Sequence, residues 1–86
     1  MKRDKELLRE FSFRVAAEIA RARKAAGLTQ AQVAARLQIT QTEVSRFERG
    51  SPQGCDLYTF TRVAKAMRVH PATLLRRVMR YEVGES

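Results

Sequence analysis

Between Thr29 and Gly50 the chain reads TQAQVAARLQITQTEVSRFERG, with no glycine or proline before its last residue. Two short helical patterns meet there at QIT. Thr29 caps the first, whose inward residues are Val33, Ala34 and Leu37. Thr40 caps the second, with Val44 and Phe47 inward and Gly50 just past its end. Ala34 is small where the two helices cross, and a larger side chain would push them apart. Ile39 in the turn can plug the core between them. A pair joined this tightly holds its second helix at a fixed angle, so the question becomes what that helix presents.

On a helical wheel, Thr42, Ser45, Arg46 and Arg49 stand at i, i+3, i+4 and i+7 and share one face. Val44 and Phe47 lie opposite, and Glu43 and Glu48 lie off the polar face. The result is a cationic, hydrogen-bonding stripe about one helix wide. Such a stripe fits the major groove of DNA, where arginine pairs bidentately with guanine and Thr or Ser contacts several base edges. Gln41, at the helix start, can reach an adenine edge or a phosphate. An ordinary solvated helix face is the plain alternative. Gln30 would point its amide and the positive end of its helix toward a phosphate.

The rest of the chain also reads as helix. Asp4 can cap a long first helix, with Leu7, Leu8, Phe11, Val15, Ile19 and Ala22 as one apolar stripe and Gly27 ending it. Glu6–Arg9, Glu10–Arg14 and Glu18–Arg21 place acids ahead of bases on its exposed face. Ser12 can instead cap a shorter helix, leaving the first eleven residues as an arm. Ser51-Pro52-Gln53-Gly54 has loop composition. Asp56 caps a fourth helix with Leu57, Phe60, Val63, Ala64 and Met67 inward. Pro71 starts a fifth carrying Leu74, Leu75, Val78 and Met79. Residues 1–14 form an extension of the first helix or an arm, residues 15–81 the domain, with its helix pair at 29–50, and residues 82–86 a frayed tail. The fold class is all-α, with five helices.

Eighty-six residues leave room for one domain of modest core. The formal charge of +8 favours a polyanionic partner, nucleic acid before an anionic membrane surface. Cys55 is the only cysteine and His70 the only histidine, which excludes an internal disulfide and leaves a cysteine–histidine zinc site without ligands. No metal or cofactor is expected. Charges at Asp4, Lys5, Glu6 and Arg9 interrupt any leader-like apolar segment, so a reduced, cytoplasmic setting is expected. No nucleophile–base pair, carboxylate cluster or glycine-rich phosphate loop points to catalysis. Cys55 reads as a bystander and His70 as a helix cap. Arg76, Arg77 and Arg80 suit either a phosphate contact or a helix C-terminus, and Lys2, Arg3 and Lys5 either an arm along DNA or a solvated end.

LTQAQVAARLQITQTEVSRFERG resembles the helix-turn-helix of the Cro/C1-type (XRE-type) DNA-binding domains. The likeness runs from about Ala17 to Leu75. It rests on the Gly27-Leu28-Thr29-Gln30 start, Ala34, Leu37, Ile39, Val44-Ser45-Arg46 and Glu48-Arg49-Gly50. Leu57…Phe60…Val63-Ala64-Lys65-Ala66-Met67 and His70-Pro71-Ala72-Thr73-Leu74-Leu75 resemble the later helices. The resemblance implies a five-helix, lambda-repressor-like fold that binds double-stranded DNA. It places Gln41, Thr42 and Arg46 as base readers, with Ser45 beside them. Thr29, Gln30, Thr40 and Arg49 fall at the DNA backbone. It also implies an ion pair between Arg23 and Glu48. One position departs from the pattern: Gln38 stands where the family usually has glycine, because the backbone there is left-handed.

The expected function is a sequence-specific transcriptional regulator, a repressor reading an inverted repeat as a homodimer. Leu74, Leu75, Val78, Met79 and Tyr81 are the expected interface, and Leu7, Phe11 and Phe13 the competing patch. An antitoxin that represses its own operon, with a toxin as protein partner, is a second reading. A protein-interaction adaptor without DNA binding is a third, and a non-specific RNA or anionic-membrane binder a fourth.

Overall fold

A computed structural model describes residues 4–50 and 55–82, and every regular element among them is an α-helix. In chain order these are α1 (Asp4–Ala25), α2 (Gln30–Leu37), α3 (Gln41–Arg49), α4 (Leu57–Ala66) and α5 (Pro71–Glu82). Helix α1 packs on α3 and α5, α2 packs on α3 and α4, and α4 packs on α5. The core they enclose is built from Val15, Ile19, Ala22, Val33, Ala34, Leu37, Val44, Phe60, Val63, Ala64, Met67, Leu74 and Val78. Phe11, Leu28, Ile39, Phe47 and Val69 close over it from the edges.

Four helices start on caps. Thr29 and Gln32 form a full capping box: the Gln32 amide donates to Thr29 Oγ1 at 3.1 Å, and Thr29 N–H donates to Gln32 Oε1 at 2.8 Å. Thr40 Oγ1 accepts from the Glu43 amide at 3.1 Å. His70 Nδ1 accepts from the Ala72 amide at 3.1 Å, as its place before Pro71 implies. Asp56 Oδ1 accepts from the Thr59 amide at 2.7 Å, and that bond holds the Asp56 carboxyl below the usual carboxylate range. A lowered folded value means that ionised Asp56 favours the folded chain. Its contribution is complete above about pH 5, where even an unfolded aspartate is almost fully charged, and fades as pH falls through the folded value. An Asp56→Asn variant, which caps without ionising, is expected to lose less stability than the parent between neutral and acidic pH. Parallel pH–melting curves for the two chains would refute this.

Three helices end on one device. The amide of Leu28 bonds the Arg23 carbonyl (3.1 Å), that of Ile39 the Ala34 carbonyl (3.0 Å), and that of Val69 the Ala64 carbonyl (2.9 Å). Each bond spans a residue with positive φ: Gly27 at 73°, Gln38 at 58° and Arg68 at 60°. These are Schellman turns, in which an apolar residue after the left-handed one folds back on the core. Gln38 therefore has the left-handed backbone expected for it, and Arg68 repeats it without any cue from glycine. A side chain in this region costs on the order of 1 kcal/mol relative to glycine. Gln38→Gly is expected to stabilise the fold by about that amount, read as a higher urea midpoint at unchanged slope; a lower midpoint would contradict it.

Two arginines tie α2 to α4. Arg36 Nη1 donates to the Ala66 carbonyl at 2.7 Å, and Arg62 Nη2 donates to the Leu37 carbonyl at 2.8 Å. Each helix thus supplies a cation to the negative end of the other. Arg62 also lies 5.8 Å from the Tyr58 ring centroid. Arg62→Met, which keeps most of the stem, is expected to cost about 1 kcal/mol in thermal melting. Arg62→Lys should recover only part of it, because one ammonium does not reproduce the planar fork.

Several sequence expectations change. Helix α1 is continuous from Asp4, so Ser12 does not start it; Ser12 is buried mid-helix, its hydroxyl without a hydrogen-bond partner among the described residues. Leu7 and Leu8 are 42% and 51% exposed, because the apolar stripe continues toward the N-terminus past the core it serves. Glu18 is buried rather than on the exposed face, with Arg21 Nε 2.9 Å away. Leu57 is 74% exposed in the first turn of α4. Leu74 and Val78 are fully buried within the protomer, so they cannot supply interface surface; Leu75 and Met79 remain exposed beside them. Glu82 closes α5 and is not part of a tail. The Ser51–Gly54 loop, residues 83–86, Lys2, Arg3 and the side chains of Lys5 and Tyr81 lie outside the described residues.

Candidate nucleic-acid interface

Helix α3 is held by Val44, which is buried, and by Phe47, which packs on the core edge. With these two fixed inward, the intervening positions turn out. Gln41, Thr42, Arg46 and Arg49 are exposed and Ser45 is half-buried. Gln41, Thr42, Ser45 and Arg49 share a shallow concavity with Gln30 from the first turn of α2. Arg46 stands on the exposed side of α3 one turn beyond Thr42, outside that concavity. Three of the expected readers, Gln41, Thr42 and Ser45, thus lie with Gln30 on one α2–α3 surface, with Arg49 lining the concavity from the last turn of α3 and Arg46 outside it. Thr29 and Thr40 spend a hydroxyl oxygen lone pair on their caps and keep the O–H to donate.

Behind this surface lies the ion pair. Arg23 Nε donates to Glu48 Oε2 at 2.7 Å and Arg23 Nη2 donates to Glu48 Oε1 at 3.0 Å, a bidentate contact between α1 and α3. The two side chains are only 12% and 7% exposed. The bond to Glu48 raises the Arg23 guanidinium above its already high value, so it stays charged. Arg23 Nη1 also donates to the Leu28 carbonyl at 2.8 Å, just ahead of α2. Sequence reasoning missed a third donor to the same carboxylate: Gln30 Nε2, 3.1 Å from Glu48 Oε1. The two residues are eighteen positions apart, and no local pattern marks them as neighbours.

At the end of α3, Gly50 has φ of 86°, and a Cβ there would lie 2.7 Å from Phe13 Cδ1. The positive φ favours glycine here, and an added Cβ would also have to displace the exposed Phe13 ring. Cys55, just before the α4 cap residue Asp56, packs on the core and does not line this concavity, and burial, then the neighbouring Asp56 charge, push its thiol up. A protonated thiol is a poor nucleophile, which agrees with a bystander role. Among the described residues no group of three His, Cys, Asp or Glu side chains can hold a metal ion, and no helix is long and apolar enough to cross a membrane.

The Helix-turn-helix family model matches residues 19–74, more than half of the chain. The chain belongs to the Cro/C1-type (XRE) helix-turn-helix family. The five helices of the described residues make the all-α, lambda-repressor-like fold of that family. As a helix-turn-helix protein of this type it is a DNA-binding transcriptional regulator, in a family that is generally non-enzymatic. No curated protein sequence matches it significantly. Within the family's frame, α2 and α3 are the two helices of the motif and Gln38-Ile39-Thr40 is its turn. The QIT turn, which lacks glycine, is accommodated by the left-handed Gln38 and the Schellman bond of Ile39.

Proposed function

We propose that this protein is a cytoplasmic repressor that reads an inverted-repeat operator as a homodimer. The observation that carries the reading is the shared placement of Gln30, Gln41, Thr42, Ser45 and Arg49 on one concavity, with exposed Arg46 beside it. Helix α3 enters the major groove, where Arg46 takes a guanine edge and Gln41, Thr42 and Ser45 contact the neighbouring bases. Thr29, Gln30, Thr40 and Arg49 hold the phosphates. The capping box uses the amides of Thr29 and Gln32, which leaves the Gln30 and Ala31 N–H groups at the positive end of α2 for an anion.

One α3 reads only a few base pairs, and a two-fold dimer reads two half-sites about 34 Å apart. Leu75 and Met79 on α5, with Tyr81, form the interface, and the α1 patch of Leu7, Phe11 and Phe13 is the competing surface. Arg23 and Glu48 hold the motif together. Selection of bound sites from a random DNA pool tests the reading: an inverted repeat is expected, and enrichment of a lone half-site, with a monomer in sedimentation at high micromolar concentration, would reject the dimer.

A toxin partner is the second reading. The turns of α1 ahead of the family match carry exposed Leu7, Leu8 and Phe13, a surface that another protein can cover. Co-expression with the product of a neighbouring small gene tests it, and failure of the two to co-purify would remove it.

A further inference from the structure

Three helices meet on one carboxylate. Glu48 of α3 receives two hydrogen bonds from Arg23 of α1, and on Oε1 a third from the Nε2 of Gln30 of α2. We propose that Glu48 is a positioning residue for Gln30, so that the ion pair to α1 fixes the amide that α2 offers to the DNA backbone. The inference rests on the DNA-binding reading above and deepens it.

A half-exposed glutamine at the start of a helix samples several rotamers, and ordering it on binding costs conformational entropy. Here the bond to an ionised acceptor selects one arrangement before DNA arrives. One Nε2 hydrogen is taken by Glu48. The other hydrogen and the amide carbonyl remain for a ligand, and Gln30 lines the concavity shared with Gln41, Thr42, Ser45 and Arg49. The arrangement meets two demands at once. An acceptor for Gln30 is needed at this spot, yet a bare carboxylate would repel a nearby phosphate. Arg23 supplies the neutralising charge from behind, and its third bond, to the Leu28 carbonyl, holds the two-residue approach to Gln30. The guanidinium at Leu28 and its carboxylate partner at Gln30 together hold both ends of the Leu28–Gln30 segment.

The alternative is an ion pair that only stabilises the fold, with Gln30 as an incidental neighbour. A plain Glu48→Ala change does not separate the two, because it strands a buried guanidinium. Replacing both partners with apolar residues of similar volume, Arg23→Met with Glu48→Leu, removes the acceptor and leaves no unpaired charge; such replacements are often neutral for folding. The test is a cycle on the full chain with a duplex from the site selection. In the parent, Gln30→Ala is expected to weaken binding about tenfold, the value of a hydrogen bond to a charged group. In the doubly apolar background the same change should weaken it less than about twofold. An equal loss in both backgrounds would overturn the proposal.

A second measurement needs neither DNA nor the double variant. In the free parent protein, the 15N relaxation of the Gln30 side-chain amide should give an order parameter near the rigid-backbone value of about 0.85, and a value below about 0.6 would overturn the proposal. This arm reads positioning alone. A failure of the chain to bind any duplex would sink the DNA reading while leaving the order parameter to decide the other question.

Discussion

Glu48→Ala is expected to lower the stability of the fold by roughly 3–5 kcal/mol, because it leaves the Arg23 guanidinium buried and unpaired. Only the Leu28 carbonyl would still accept from it. The cost arises from the stranded charge rather than from the worth of the pair, so it is large even though a buried ion pair adds little net stability. Net stabilities of small domains lie at about 5–15 kcal/mol, so the variant is expected to approach the limit of folding. In a chain of this size the melting temperature should fall by more than about 10 °C. Circular dichroism melting without DNA checks this, and an unchanged midpoint would show that the pair is not needed for folding. The Arg23→Met, Glu48→Leu double change should recover most of the loss, since it removes both charges together.

Arg46→Ala is expected to cost roughly 1–3 kcal/mol in binding, and to do so at one base position of each half-site. The exposed guanidinium makes no hydrogen bond with the described residues in the free protein, so its donors are available to a base edge without breaking an internal contact. Competition with operator variants changed one base pair at a time separates the two kinds of contact. Loss of preference at one position marks a reader. A uniform loss across all sequences would instead place Arg46 on the backbone, the behaviour expected of Gln30→Ala. Arg46→Lys should resemble the alanine change more than the parent, because an ammonium cannot make the bidentate pair.

How much of this was legible depended on the distance over which each feature is determined. The caps at Thr29, Thr40 and Asp56 are local bonds between a side chain and an amide three residues on, and their composition announces them. The glycine at Gly27 does the same for the end of α1. The Arg23–Glu48 pair was reachable only through family resemblance, since its members are twenty-five residues apart. The polar stripe of Thr42, Ser45, Arg46 and Arg49 on α3 followed from the wheel once Val44 and Phe47 were set inward, whereas a base-reading role for it came only from the family resemblance. Periodicity says which face of a helix is apolar but not where the core stops, and so it misread Leu7, Leu8 and Leu57. It also cannot divide an apolar face between the core and a partner, which is how Leu74 and Val78 came to be placed with Leu75 and Met79. Arg68 carried a cue that went unread: an apolar Val69 just past a helix, as Leu28 and Ile39 stand after α1 and α2. Nothing in the local sequence joins Arg36 to Ala66, Arg62 to Leu37 or Gln30 to Glu48, because each is a product of how helices cross.

The crossed arginines of α2 and α4 bear on how well the reading head keeps its height. Two bonds that run in opposite directions between a pair of helices act as opposed stops. A slide of α2 along α4 by one helical turn, about 5.4 Å, exceeds the reach of both bonds at once. Helix α2 carries Gln30 and, through the Gln38 turn, the whole of α3. The position of α3 on the fold is therefore gauged by two side chains, Arg36 and Arg62, that take no part in lining the concavity of Gln30, Gln41, Thr42, Ser45 and Arg49.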